Sequence, residues 1–382
     1  MATNTLTGLI PTIYEGLSEV SRELIGFIPN VSVNAEASGA AVGQVVRSPV
    51  AGVSALENIT PGAVPANTGE QTTTFKDITI TNSKAYPIKW NGEEQLSIGA
   101  NGEYNTILAD QFKEGFRLLS NTVEMDLAGL YSSTTRAYGT SGTTPFGTAD
   151  VHTDFAQSNK MLDDLGAPAA GRSMILGSAA VANVEGIQSG LFKVNEAGDG
   201  GAMLRNRQSR DLHGFTMGKS AGVVSHTKGT GADYLINDAT SEVGDTTITV
   251  DGGTGTVLAG DVVSFAGDTN KYVVKTALAG GSFTIPAPGL LVALADNAAV
   301  TVNNSFAANM FFHRNAFVLA SRAPAMPVGG DEADDVMNVT DPVSGITFQV
   351  AVYRRYREVK YEIGLAWGVG VANERHSGIL LG

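Results

Sequence analysis

Thr246-Thr247-Ile248-Thr249-Val250, Val262-Val263-Ser264-Phe265, Lys271-Tyr272-Val273-Val274-Lys275, Ser282-Phe283-Thr284-Ile285 and Ala299-Val300-Thr301-Val302 are short runs in which apolar and polar residues alternate. Turn chemistry separates them, as in Asp251-Gly252-Gly253 and Gly267-Asp268. Period-two alternation with turns at this spacing predicts a small antiparallel barrel or sandwich over residues 241–302. The flanking chain has a different texture, so the host fold carries an inserted guest.

Working outward, residues 103–134 give the strongest helix. Tyr104, Leu108, Phe112, Phe116, Leu119, Val123, Leu127 and Leu130 recur at steps of three and four and form one apolar stripe. Roughly 30 residues at about 1.5 Å each predict a rod of about 45 Å. Residues 139–240 read as α/β: a helix near 153–165, the strand Ser173–Leu176, a helix over 178–190, and a strand around 214–224. Residues 310–320 re-enter the host after the insert, and strands over 346–352 and 356–367 finish the chain.

Upstream of the helix, Thr72–Ile80 and Ala85–Trp90 alternate around Asn82-Ser83 and predict a hairpin, with Pro87 marking its second strand as an edge. A lone hairpin is marginal in water and must pack on something. Residues 28–68 contain Pro29, Pro49, Pro61 and Pro65 without a clear period. They predict an extended arm that lies on another surface, such as a neighbouring subunit. Before the arm, apolar positions from Leu6 to Ile25 predict one or two short amphipathic helices.

Composition narrows the function. Of the 382 residues, 46 are glycine and only 16% are charged, which suits a β-rich chain that hides surface in an assembly. A net charge of −13 excludes general electrostatic coating of nucleic acid, because counterion release needs basic residues. The absence of cysteine excludes a disulfide scaffold and any thiolate-bound metal. No apolar run reaches the roughly 18 residues of a membrane span, and the N-terminus has no signal-peptide pattern.

Enzyme signatures fail their spacing tests. Gly214-Phe215-Thr216-Met217-Gly218-Lys219-Ser220 has one residue too few for a phosphate loop, and Ala221–Val224 reads on as strand where a helix is required. None of the 5 histidines has a second histidine within metal-ligand spacing. No catalytic residue, metal ligand or cofactor is assigned, and the chain is read as a non-enzyme.

The basic run is more informative. Arg354, Arg355, Arg357 and Lys360 fall in a strand pattern with Tyr353, Tyr356 and Tyr361. Alternation puts Arg355 and Arg357 on one face and Arg354 and Lys360 on the other. Either this is a solvated edge or it pairs across subunits with the acidic segment Asp331–Asp335, where charge pairs fix register. The candidate inter-subunit contacts are Arg354, Arg355, Arg357, Lys360, Asp331, Asp334, Trp90 and Lys89. Arg205, Arg207 and Arg210 form a second basic cluster.

The order of elements (arm, hairpin, long helix, α/β domain, inserted β-domain, return segment, closing strands) resembles the major capsid proteins of tailed bacteriophages, the HK-ninety-seven fold. The inserted domain is similar to that of the P-twenty-two type. The stretches carrying the resemblance are the hairpin, Asn121-Thr122-Val123-Glu124-Met125-Asp126-Leu127, Gly260-Asp261-Val262-Val263-Ser264-Phe265-Ala266-Gly267 and Phe312-His313-Arg314-Asn315-Ala316-Phe317-Val318-Leu319-Ala320.

The resemblance implies an α+β capsid fold divided as N-terminal arm 1–68, extended hairpin 69–95, spine helix of a peripheral domain 96–138, first part of an axial domain 139–238, inserted β-barrel 239–304, peripheral return 305–345, and axial closing strands 346–382. It implies a coat protein that self-assembles into pentamers and hexamers of an icosahedral shell around double-stranded DNA held without sequence specificity. Scaffolding, portal and decoration proteins would be partners, and the chain would pass from host cytoplasm to virion. Some relatives weld subunits through a hairpin lysine; Lys76, Lys84 and Lys89 lie in that region, but no acidic catalyst is identified. The alternative is a β-rich surface adhesin or carbohydrate-binding module.

Overall fold

The computed structural model describes residues 25–50, 61, 74–99, 104–188, 211–239, 241–327, 329–331, 333–341 and 344–382. The helices expected before residue 25, the arm over 51–60 and 62–68, and the Arg205–Arg210 cluster lie outside these residues. The described chain is mixed α+β, in one six-stranded sheet, one 14-stranded sheet and a two-stranded ribbon.

The spine helix spans Tyr104–Ala128, 25 residues, and buries Leu108, Phe112, Phe116, Leu119, Val123 and Leu127 along the expected stripe. It is shorter than the pattern suggested because the chain tightens into a 3₁₀ turn over Gly129–Ser133. Its stripe packs on the six-stranded sheet, with Phe112 against Tyr361 at 5.7 Å and Phe116 against Phe348 at 5.1 Å between ring centroids. Asp126 pins helix to sheet: its Oδ2 accepts from Asn82 Nδ2 and Trp367 Nε1, both at 2.8 Å.

The long strand Glu358–Val371 organises this sheet. Tyr361 pairs with Val352 of Thr347–Arg355 on one side and with Ile88 of Asn82–Asn91 on the other. Ala333–Thr340 extends the sheet beyond Thr347–Arg355. Phe317–Pro324 pairs with the far end of the long strand, and Ser32–Ala40 runs parallel to it at the edge.

These pairings correct several expectations. Strands form at Thr74–Thr79 and Asn82–Asn91, but they do not pair as a hairpin: the first pairs with Val45–Val50 and the second with Glu358–Val371. The reason lies at Ile80, which is buried and donates its N–H to Gln44 O at 2.9 Å, while Thr81 N donates to Trp367 O at 3.1 Å. Those bonds carry the chain from ribbon into sheet instead of turning it back. The described part of the arm lies on its own subunit, since Ser32–Ala40 is a strand of the sheet. The closing strands Thr347–Arg355 and Glu358–Val371, expected in the axial domain, belong to the six-stranded sheet under the spine helix and not to the 14-stranded sheet. Their inward residues Phe348, Val350, Ile363, Leu365 and Trp367 fill the core around that helix.

The ribbon leaves the sheet where the backbone of Thr79 crosses Gly368. A Cβ on Gly368 would lie 2.1 Å from Thr79 O. Gly368→Ala therefore forces the ribbon base away from the sheet, and an unfolding free energy lower by about 1–3 kcal/mol is expected from denaturant titration.

The 14-stranded sheet includes Arg172–Leu176, buried throughout. This strand runs parallel to Phe215–Lys219 and antiparallel to Phe306–His313. Within the Gly214–Ser220 stretch Phe215–Lys219 is a strand as expected, but Ala221–Val224 does not continue it: the chain turns at Ala221-Gly222. Ser377–Leu381, a strand the sequence reading lacks, lies between Phe306–His313 and Arg136–Tyr138. Helices Thr153–Asp164 and Ser178–Ile187 cover the sheet and enclose a core of Phe146, Phe155, Met174, Leu176, Phe215 and Phe311.

Between these parts, residues 234–302 hold their own apolar core, including Ile236, Ile248, Val263, Tyr272, Phe283 and Val300. The predicted strands are present at Thr247–Asp251, Val262–Phe265, Lys271–Val273, Ser282–Thr284 and Ala299–Val302. Two short ones were not anticipated, Tyr234–Ile236 and Thr276–Ala279. The ladder runs from Thr276–Ala279 through Ser282–Thr284, Thr247–Asp251, Tyr234–Ile236, Ala299–Val302 and Val262–Phe265 to Lys271–Val273. Lys271–Val273 continues directly into Thr276–Ala279, and Lys275 N donates to Thr284 O at 2.7 Å, so the ladder ends on the chain segment where it began.

Candidate assembly surfaces

The inserted segment is fixed to its host by hydrogen bonds as well as by pairing of Lys271–Val273 with Arg136–Tyr138. At the centre of the joint, the fully buried Asp261 accepts from His226 Nε2 at 2.8 Å, Gly229 N at 3.0 Å and Leu258 N at 2.6 Å. The other ring nitrogen of His226 meets Tyr131 OH at 2.7 Å. One carboxylate thus ties the insert to the strand that leads into it and, through His226, to the 3₁₀ turn after the spine helix. Burial and the Asp261 charge push the Tyr131 hydroxyl pKa up. At the rim, Lys275 Nζ meets Glu374 Oε1 at 2.5 Å, and Glu374 Oε2 accepts from Ala287 N at 3.0 Å. Arg136 hydrogen-bonds to Asn270, and Lys271 Nζ donates to Gly139 O at 2.5 Å.

A second buried carboxylate holds the arm. Glu124, on the spine helix and 2% exposed, accepts from the backbone N–H groups of Gly26, Phe27 and Ile28 at 2.6, 2.8 and 3.1 Å. The Ser220 hydroxyl also hydrogen-bonds to it. Burial raises its pKa above the ordinary carboxylate value, and the hydrogen bonds oppose that shift only in part. Phe27 and Ile28 are buried in the core beside Phe312 and Phe317.

Among the described residues, the ribbon of Val45–Val50 and Thr74–Thr79 is anchored at its base, where Ile78 and Ile80 pack with Val318, Ala320 and Ala366. Farther out, Phe75 is 57% exposed, with Arg47 paired to Asp77 at 3.1 Å beside it.

The predicted contact residues gather at the distal tip of the six-stranded sheet. Tyr356-Arg357 is a turn between two strands and not strand, and Arg357 sits at φ +57. Strand alternation therefore does not carry across it, and the expected sharing of a face by Arg355 and Arg357 fails. The acidic and basic segments meet within one subunit: Ala333–Thr340 pairs with Thr347–Arg355, Arg354 Nε lies 3.3 Å from Asp334 Oδ2, and Tyr353 OH donates to Asp331 Oδ2 at 2.7 Å. Lys360 pairs with Glu362, and Lys89 lies 4.0 Å from Glu358. Trp90 is buried and donates to Gln111 Oε1 at 2.9 Å. Arg355 and Arg357 have no anionic partner among the described residues. Beside them a cleft of about 720 Å³ runs between the turn and the start of helix Gly92–Gly99.

Sequence reasoning missed Glu124, Asp261 and His226. One signal marked Glu124: it stands four residues from both Ser120 and Ala128, small side chains on one helix face that let another segment approach closely. Among the described residues, no group of His, Cys, Asp and Glu could hold a metal ion. No described helix is long and apolar enough to cross a membrane.

No family model matches this chain. No curated protein matches it either. Among solved structures, the chain is similar to the capsid of cyanophage P-SCSP1u, at 11% identity and a TM-score of 0.47 over 93% of this chain and 87% of that one. A structure from Mycobacterium phage Che8 matches at 12% identity and a TM-score of 0.45, over 88% of this chain and 84% of that one. A virus-like particle from Pyrococcus furiosus matches at 10% identity and a TM-score of 0.43, over 97% of this chain and 99% of that one.

Proposed function

We propose that this chain is the major capsid protein of a tailed double-stranded DNA phage, assembling with itself into the pentamers and hexamers of an icosahedral shell. The observation that carries this reading is the ribbon. Two strands outside any larger sheet are marginal in water, and in its outer half this pair exposes Phe75 with none of the described residues covering it. A neighbouring copy is the natural cover, because each subunit of a shell meets several others.

In this reading the ribbon is the extended loop that reaches the next subunit. The sheet around the spine helix is the peripheral domain. The sheet around Arg172–Leu176 is the axial domain. Residues 234–302 act as an inserted barrel that braces the axial sheet along Arg136–Tyr138. A scaffolding protein during assembly, a portal, packaged DNA bound without sequence specificity and a decoration protein complete the set of partners. The adhesin alternative gives the insert a free binding face, but both of its lysines, Lys271 and Lys275, are turned toward the host.

Electron microscopy of the protein expressed alone and with its neighbouring genes tests the proposal. Closed shells of uniform size are the expected result. Small discrete oligomers in both preparations would sink it.

A further inference from the structure

We propose that the tip cleft receives the Tyr356-Arg357 turn of a second copy of this chain, a contact that rests on the shell reading above. The turn is shaped as a knob. Tyr356 is 89% exposed, and the Arg357 guanidinium stacks 5.5 Å from its ring centroid. Such exposure is unusual for an aromatic residue, whereas tyrosine, tryptophan and arginine are the residues enriched at the energetic centres of protein interfaces.

The cleft beside it is the matching hole, with the subunit's own turn as one of its walls. Trp90 forms a wall held still by its bond to Gln111. Two carboxylates also line it, Glu93 and Glu358. Glu358 Oε1 is shielded from water yet accepts no hydrogen bond, and its nearest cation, Lys89 Nζ, is 4.0 Å away. Unpaired guanidinium groups and an unsatisfied carboxylate oxygen therefore stand at one tip without meeting, although Arg355 and Glu358 are cross-strand neighbours.

A second copy resolves this mismatch. Its Arg357 reaches Glu358 and Glu93, and its Tyr356 covers Trp90. Because knob and hole lie side by side at one end of the sheet, two copies can seat their turns in each other's clefts about a two-fold axis, or pass the contact on around an axis through the tips. With a net charge of −13, copies repel overall, so a local pairing of opposite charges selects this approach over others.

The test uses the full chain. Arg355→Glu with Arg357→Glu should leave the thermal unfolding of the subunit unchanged, since both side chains are exposed, yet cut the yield of assembled particles by about tenfold or more. The natural chain has no cysteine, so a second measurement is clean. Copies carrying Glu93→Cys and copies carrying Tyr356→Cys are co-assembled and oxidised. Disulfide-linked dimers should form in the mixture and not with Glu93→Cys alone. Normal shells from the arginine variant, or assembled particles without mixed dimers, would overturn the tip contact alone. Absence of particles from the unaltered chain would overturn the shell reading and this contact with it.

Discussion

Glu124→Ala is expected to lower the unfolding free energy by about 3–4 kcal/mol, because the N–H groups of Gly26, Phe27 and Ile28 are left buried without an acceptor. Each orphaned donor costs about 1–3 kcal/mol, and removal of the desolvated carboxylate offsets part of the sum. The damage should be local first. Hydrogen exchange of residues 25–31 should rise before that of the spine helix, since these residues lose the link that seats Phe27 and Ile28 in the core. Glu124→Gln keeps an acceptor and should cost less. It also isolates the effect of pH. Burial holds the folded-state pKa of Glu124 above its unfolded value. Between those two values the folded protein binds more protons than the unfolded one, so this group's contribution to stability falls as pH rises through that window. Glutamine does not titrate. The advantage of the natural chain over Glu124→Gln should therefore be larger on the acid side of the window than at neutral pH. An advantage that grows with rising pH would contradict the assignment.

What was legible in the sequence divides along the range of the interactions. The spine helix and most strands of the insert were readable because their patterns are local: Leu108 to Leu127 at helical spacing, and Val262–Phe265 alternating between turns. Strand partners were not readable. Thr72–Ile80 and Ala85–Trp90 look like a hairpin because they are adjacent, yet their partners are Val45–Val50 and Glu358–Val371. Only burial of Ile80 and the bonds of Ile80 and Thr81 decide this, and those depend on the assembled sheet. The turn at Tyr356-Arg357 was missed for a different reason: it places an arginine in the left-handed region without a glycine or asparagine to announce it. The charge pattern was visible, but its pairing was not. Asp331 and Asp334 face Tyr353 and Arg354 of the same chain, which leaves Arg355 and Arg357 without an anionic partner among the described residues. Glu124 and Asp261 were hidden because their main partners are backbone N–H groups, which have no signature in the sequence.

Asp261→Ala should have the other large effect, and it tests how the insert is held. The carboxylate is fully buried and satisfies Gly229 N, Leu258 N and His226 Nε2 together. Breaking a buried network of this kind by removing one partner costs about 3–5 kcal/mol. Asp261→Asn retains an acceptor but turns amide hydrogens toward groups that are themselves donors, so it should recover only part of the loss. The two losses differ in place. In Glu124→Ala the arm loosens and the insert does not. In Asp261→Ala, exchange should rise in residues 229–233 and 254–258, while residues 25–31 stay protected. A hinged insert would tolerate the change, because its own core from Ile236 to Val300 does not include Asp261. A rigidly braced insert would not, because Arg136–Tyr138 and Lys271–Val273 keep their register only while the joint beside them is closed. A loss below about 0.5 kcal/mol, the range of ordinary surface changes, would mean that the pairing at Arg136–Tyr138 holds the insert without the buried carboxylate.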